Sequence, residues 1–202
     1  MKTRSMLFFR PAAILLGVLG VLIFSGCTTS RTTGIAAVPM VADAITWPAD
    51  YRPETATFFV HNEIEIKAPP AVVWDILIQA DAWPAWYVGA QNVSVKNSNT
   101  GRLEADSVFG WNTMGLRFES QIKEFVPPSR LSWESRKAVI KGYHAWLIIP
   151  TPEGCRVVTD ESQNGFLASM QKVFIPNKLS RLHDVWLAEL KAKAEARVSD
   201  PR

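Results

Sequence analysis

Cysteine is nearly absent from this 202-residue chain, which has only Cys27 and Cys155. Once Cys27 is set apart, as argued below, Cys155 has no partner. No intramolecular disulfide is then expected. Cys155 follows Gly154 and precedes Val157-Val158, a setting in which burial as a small hydrophobe is its expected role. Histidine is almost as scarce, with three residues, and this narrows any acid–base chemistry to His61, His144 and His183. There is no glycine-rich phosphate loop, no HExxH, no nucleophile elbow and no serine beside a plausible base. These gaps remove positive support for nucleotide, metallopeptidase and serine-hydrolase chemistry. No metal spacing is present, and neither a metal nor a cofactor is expected.

A charge excess is missing too, despite a formal net charge of +3. Lys2, Arg4 and Arg10 make a basic amino end without acidic residues, followed by the apolar run Ala12 to Phe24. That run has the length of a signal-peptide core and is too short to span a bilayer comfortably. Taking these three from the 22 Lys and Arg leaves 19, equal to the 19 Asp and Glu. A balanced remainder lacks the basic footprint of a nucleic-acid binder, and no nucleic-acid partner is expected.

The leader ends Leu22-Ile-Phe-Ser-Gly-Cys27, which resembles a bacterial lipobox, with Phe24 where leucine is usual. The resemblance implies lipidation of Cys27 and a membrane anchor. Thr28 after it, rather than aspartate, implies the outer membrane, facing the periplasm. Several acyl chains at about 0.8 kcal/mol per buried CH₂ hold firmly where one does not. An ordinary signal peptide or uncleaved anchor with a bystander Cys27 is the alternative. Residues 1–26 are thus read as leader and 27–56 as tether, rich in Thr, Ser, Ala and Pro, its end pinned by Trp47 and Tyr51.

From Thr57 the pattern changes to strands and one domain over 57–198. Val60, Ile64 and Ile66 share one parity of a first strand, with Glu63, Glu65 and an exposed His61 on the other. Pro69-Pro70 ends it and opens a short helix with Val73, Trp74, Leu77 and Ile78 on its apolar face. Trp83-Pro-Ala-Trp86 follows, beyond the helix, and reads as a seal over one end of the core, with gating of a cavity mouth as the alternative.

Further strands are expected at Val93–Val95, Ser107–Trp111, Leu116–Lys123, Leu131–Glu134, Gly142–Ile149 and Arg156–Gln163. The sixth of the seven is apolar on both parities, as a central or interior-lining strand would be. Arg117, Glu119 and Lys123 form a solvated stripe on the fourth. Phe166, Leu167, Met170, Val173 and Phe174 then make a helical face, broken at Pro176. Leu179, Leu182, Trp186 and Leu190 carry a long last helix to about Arg197. One long helix must bury its face, and a curled antiparallel sheet is the economical partner.

This order resembles the START-related SRPBCC superfamily and, within it, the polyketide cyclase/dehydrase and lipid-transport family. The resemblance rests on Ile66-Lys-Ala-Pro-Pro-Ala-Val-Val-Trp74, Trp83-Pro-Ala-Trp86, Leu131-Ser-Trp133, the hairpin from Trp146 to Gly165 with Val158-Thr-Asp-Glu-Ser162, and Leu187-Ala-Glu-Leu-Lys191. It implies an α+β helix-grip fold: a seven-stranded curled antiparallel sheet around the carboxyl-terminal helix, enclosing an apolar cavity. Fold alone does not choose among that superfamily's carriers, receptors and cyclases.

Trp111, Phe118, Trp133, Tyr143, Trp146, Met170 and Trp186 are the expected cavity walls, with core packing as the alternative for each. His144 has Trp146 and Ile148 on its parity. A hairpin around Pro152 brings it within a residue or two of Glu161. A His–carboxylate pair in an apolar cavity could polarise a ligand carbonyl or act as a general base, so His144 and Glu161 are the candidate catalytic residues. A structural cross-strand contact is the alternative. His183, one position after Leu182, could face the interior or flank it, and an edge histidine is the expected reading.

The leading functional reading is an envelope lipoprotein whose domain binds a small hydrophobic ligand (lipid, quinone or aromatic) as carrier or sensor. Without a recognisable catalytic set, the balance leans away from an enzyme. A cyclase or dehydratase on a polyketide-like or aromatic substrate is the second reading and requires Glu161 to face inward. A non-catalytic envelope interaction module, with a filled interior, is the third. No oligomeric state follows from the sequence.

Overall fold

The computed structural model describes residues 44–200. The leader, Cys27 and the first part of the tether lie outside the described residues. Seven strands form one sheet: β1 (Phe58–Ile66), β2 (Gln91–Val95), β3 (Val108–Thr113), β4 (Leu116–Val126), β5 (Arg130–Lys137), β6 (Ile140–Thr151) and β7 (Gly154–Asn164). Their spatial order is β1-β7-β6-β5-β4-β3-β2, and every neighbouring pair is antiparallel. Three helices complete the fold: α1 (Pro70–Leu77), α2 (Phe166–Phe174) and α3 (Lys178–Ser199). This is the helix-grip architecture, with α3 held by the curled sheet.

The chain passes from one edge strand to the other through α1 and a 3-10 segment, Ala80–Ala85. Pro69 precedes α1 in extended backbone and Pro70 occupies its first turn, where no N–H is needed. Val73, Trp74 and Leu77 are buried, and the Trp74 ring meets Phe125 of β4 at 5.1 Å. Trp83 is fully buried, and its Nε1–H donates to the Leu77 carbonyl at 2.9 Å. It seals the core, while Trp86 is half-buried.

The long helix buries Leu179, His183, Trp186, Leu187, Leu190 and Ala194. These sit at spacings of four, three, one, three and four, one stripe at helical period. The expected stripe through Leu182 is off by one position: Leu182 is half-exposed, and His183 takes the inward place. Each fully buried leucine here stabilises the fold by about 1.5–3 kcal/mol. Trp186 lies at the hub, stacked on Tyr87 at 4.1 Å and edge-on to Trp83 and Trp146 at 5.1 and 5.0 Å. Asp75 of α1 ties α3 and the chain before β3 together, accepting from Arg102 and Arg197 at 2.6 Å each.

Both faces of β6 are covered. Its even-numbered residues face α3. Tyr143 and Ala145 face outward and are capped by Ile45, Trp47 and Tyr51 of the preceding segment. The Trp47 and Tyr51 rings meet Tyr143 at 5.8 and 5.4 Å, and the Tyr51 hydroxyl donates to Glu134. This corrects one expectation: Tyr143 belongs to the outer face rather than to the cavity. The apolar character of its parity matches the aromatic cap. The break at Pro176 falls between α2 and α3, but most of the apolar face expected for α2 is exposed, with Phe166, Val173 and Phe174 each about two-thirds accessible.

Candidate functional site

A cavity of about 280 Å³ opens between the concave face of the sheet, α2 and the start of α3. Trp111, Phe118, Trp133 and Trp186 form much of its apolar wall, and Met170 of α2 lies at its rim. Phe174 also lines it yet is 69 % exposed, which places the mouth beside α2. Trp146 is not on the wall. It packs one layer deeper, stacked against His144 at 5.5 Å and beneath Trp186.

One stretch of the wall is polar, and it comes from three elements. Glu161 of β7 is the register partner of His144 on β6. Strand alternation sends both side chains inward, and α3 brings His183 to the same place. His144 Nδ1 lies 3.3 Å from Glu161 Oε2, and His183 Nε2 lies 3.4 Å from the same oxygen. Both are ion-pair contacts, and neither nitrogen has an aligned hydrogen-bond partner among the described residues. The two imidazoles stack at 4.7 Å. His144 uses its other nitrogen, Nε2, with Thr159 Oγ1 at 2.7 Å.

A second relay holds the carboxylate from the opposite side. Gln171 of α2 donates to Gln163 Oε1 at 3.2 Å, and the Gln163 amide donates to Glu161 Oε1 at 2.5 Å. Gln163 sits two residues beyond Glu161 on β7, so it shares the inward parity.

The electrostatics follow from burial. Desolvation, then the neighbouring His183, depress His144 to about 3, and the Glu161 charge only partly opposes them. His144 is therefore a neutral imidazole, with a free lone pair at Nδ1 when Nε2 carries the proton toward Thr159. For Glu161, burial alone would raise the carboxyl. The His183 imidazole at Oε2, the His144 ring and the Gln163 amide outweigh burial and hold it below the ordinary range. Tyr87 lines the same cavity, and burial followed by the Glu161 charge pushes its phenol up, so it remains an O–H donor.

Of the candidates read from the sequence, His144 and Glu161 meet at the cavity, while His61 lies exposed on the other face of the sheet, paired with Asp160 at 2.7 Å. His183, Gln163, Gln171 and Tyr87 were missed. His183 had a signal: it stands four residues after Leu179 and three before Trp186, on the buried stripe. Gln163 had its parity with Glu161. Tyr87 follows the 3-10 segment, where no periodicity marks a face.

The site is thus an apolar pocket with one polar wall, suited to an uncharged molecule carrying a carbonyl or hydroxyl oxygen. Three comparisons give it context. "Oxopyrrolidines biosynthesis cluster protein O" of Penicillium oxalicum is 26 % identical over 148 residues, covering 54 % of this chain and 73 % of the fungal protein. The crystal structure of hypothetical protein jhp0584 from Helicobacter pylori superposes with a TM-score of 0.70 at 27 % identity, over 76 % of this chain and 98 % of that one. The di-domain ARO/CYC StfQ of the steffimycin biosynthetic pathway shares the fold at a TM-score of 0.58 and 15 % identity, over 70 % of this chain and 52 % of its own. The family described as polyketide cyclase / dehydrase and lipid transport matches residues 57–195, and the chain belongs to that family.

Proposed function

We propose that this protein binds a small apolar molecule bearing one polar oxygen, as a carrier or sensor held in the bacterial envelope by lipid at Cys27. The observation that carries the reading is the cavity itself: aromatic walls, with polar side chains converging on one wall. At about 280 Å³ it lies just below the usual range for small-molecule pockets, which suits one acyl chain or an aromatic ring system better than a two-chain lipid. Native mass spectrometry of the full chain, released from detergent, tests this. A bound small molecule lost on denaturation supports it. A chain that neither carries nor takes up fatty acids, quinones or aromatic ketones counts decisively against it. Cys27→Ser should move the protein from the membrane fraction to the soluble one, and a variant that stays in the membrane would overturn the lipid anchor.

A cyclase or dehydratase acting on a polyketide-like or aromatic substrate is the second reading, favoured by the inward Glu161. In that reading the ionised, inward Glu161 carboxylate takes a proton from the carbon next to a ligand carbonyl with His144 beside it, while the Tyr87 hydroxyl donates to the developing oxyanion. Turnover abolished in His144→Ala while ligand uptake persists would select this reading. Uptake without turnover in the unaltered chain selects the carrier.

A further inference from the structure

We propose that His144, Glu161 and His183 form a three-ligand site for a divalent ion of the zinc type, with its fourth position open to the cavity. The sequence reading expected no metal because the ligands come from β6, β7 and α3, so no short spacing announces them. The proposal concerns the same cavity as the ligand-binding reading but stands independently of what organic molecule enters it.

Three observations carry it. The first is distance. Zinc holds nitrogen and carboxylate oxygen at about 2.0–2.2 Å, so two ligand atoms on one tetrahedral ion lie roughly 3.3–3.6 Å apart. His144 Nδ1 and His183 Nε2 stand 3.3 and 3.4 Å from Glu161 Oε2. The ligand atoms of all three residues lie within 4.8 Å of one another, so a small rotation of one ring completes the tetrahedral face.

The second is partnering. The His144 and His183 side chains are 4 % and 1 % exposed, and the nitrogens aimed at Glu161 have no hydrogen-bond partner among the described residues. Buried polar atoms without a partner are costly, and a coordinated cation would satisfy both at once.

The third is the outer layer. His144 sets its other nitrogen against Thr159 Oγ1, and Gln163 holds the second carboxylate oxygen, itself braced by Gln171. Ligand orientation by such partners is the usual support of a metal site. Two histidines and a carboxylate with one open position is a catalytic rather than a structural pattern. An ion there would polarise a ligand oxygen entering from the apolar side.

The test is zinc titration of the full chain in detergent after chelator treatment, in competition with a chromophoric chelator and with no organic ligand added. One equivalent is expected, and Co²⁺ in its place should give the intense visible absorption of a four-coordinate ion. His183→Gln and Glu161→Gln should each weaken binding by more than the roughly 10–100-fold that loss of an outer partner costs, and Thr159→Val by about that amount. His61→Ala, on the far side of the sheet, should change nothing. Circular dichroism of each variant guards against misfolding, and Glu161→Gln reads the same site if His183→Gln fails to fold. Substoichiometric binding overturns the proposal, as does binding indifferent to these substitutions or lost with His61→Ala. A chain that takes zinc but no organic molecule sinks only the ligand-binding reading, and the reverse sinks only this one.

Discussion

Glu161 stands directly opposite His144 in the β6–β7 ladder, and their side chains meet inside the cavity, Oε2 to Nδ1, at 3.3 Å. Because both belong to one hairpin, their separation is set by backbone pairing and does not depend on the docking of a distant loop. His144→Ala should therefore leave the strand pairing intact while removing the imidazole nitrogen that stands beside Glu161. If the protein turns over a substrate, kcat should fall by about 10²–10⁴. An unchanged rate would remove His144 from the chemistry.

Gly142 precedes His144 on the same face and lines the cavity. A Cβ there would meet Glu161 Oε1 at 3.4 Å and Gln163 Cγ at 3.7 Å, ordinary contacts. Gly142→Ala should be tolerated, and Gly142→Leu should fill the pocket and abolish ligand uptake in native mass spectrometry without changing the circular dichroism. Full uptake by Gly142→Leu would mean that the ligand sits elsewhere.

Trp186 is 1 % exposed and touches the rings of Trp83, Tyr87 and Trp146. Trp186→Ala leaves a large cavity and should cost about 3–5 kcal/mol in urea denaturation. Against a total of about 5–15 kcal/mol for a typical domain, that is a large share. A loss below about 1 kcal/mol would show that the helix is not held by this hub.

Acid should loosen the link between α1 and α3. Hydrogen bonding from Arg102 holds the Asp75 carboxyl below its ordinary value of 3.8, with Arg197 adding to it and burial partly opposing. A lowered folded value means that this stability is fully present above about 3.8 and lost as pH falls through the folded value. Asp75 is partly exposed, so the effect is small, under about 1 kcal/mol. Thermal midpoints of the parent and Asp75→Asn should converge as pH drops from 5 toward 2, and a constant difference would contradict the linkage.

Cys155 is fully buried, and burial, then the nearby Glu65 charge, push its thiol up to about 11. In a Cys27→Ser background, a thiol reagent at neutral pH should label it only after unfolding. Rapid labelling of the native chain would place Cys155 at the surface.

How much of this was readable beforehand depended on the range of the interaction. The His144–Glu161 pairing was legible because a tight hairpin around Pro152 leaves little freedom of register. The Pro69-Pro70 boundary was legible because proline acts on its own backbone. Tyr143 was placed on the wrong face because both parities of β6 are apolar, and what caps its outer parity is Trp47 and Tyr51, about 90 residues earlier. His183 was misplaced by a single helical position: counting Leu182 into the stripe turned the histidine to the edge. Its neighbours Leu179 and Trp186 determine the true face, and only the docked helix shows which phase they chose.

The polar wall has a further consequence for the order in which the protein is made. His144, Glu161 and His183 all lie in the last third of the chain, and the helix that supplies His183 is the final element. During synthesis the aromatic wall from β3 to β5 emerges first, the β6–β7 hairpin then pairs His144 with Glu161, and the third member arrives only with α3. Much of the apolar wall thus precedes the polar one, and a nascent or truncated chain ending before α3 exposes an aromatic trough that lacks His183 and Trp186.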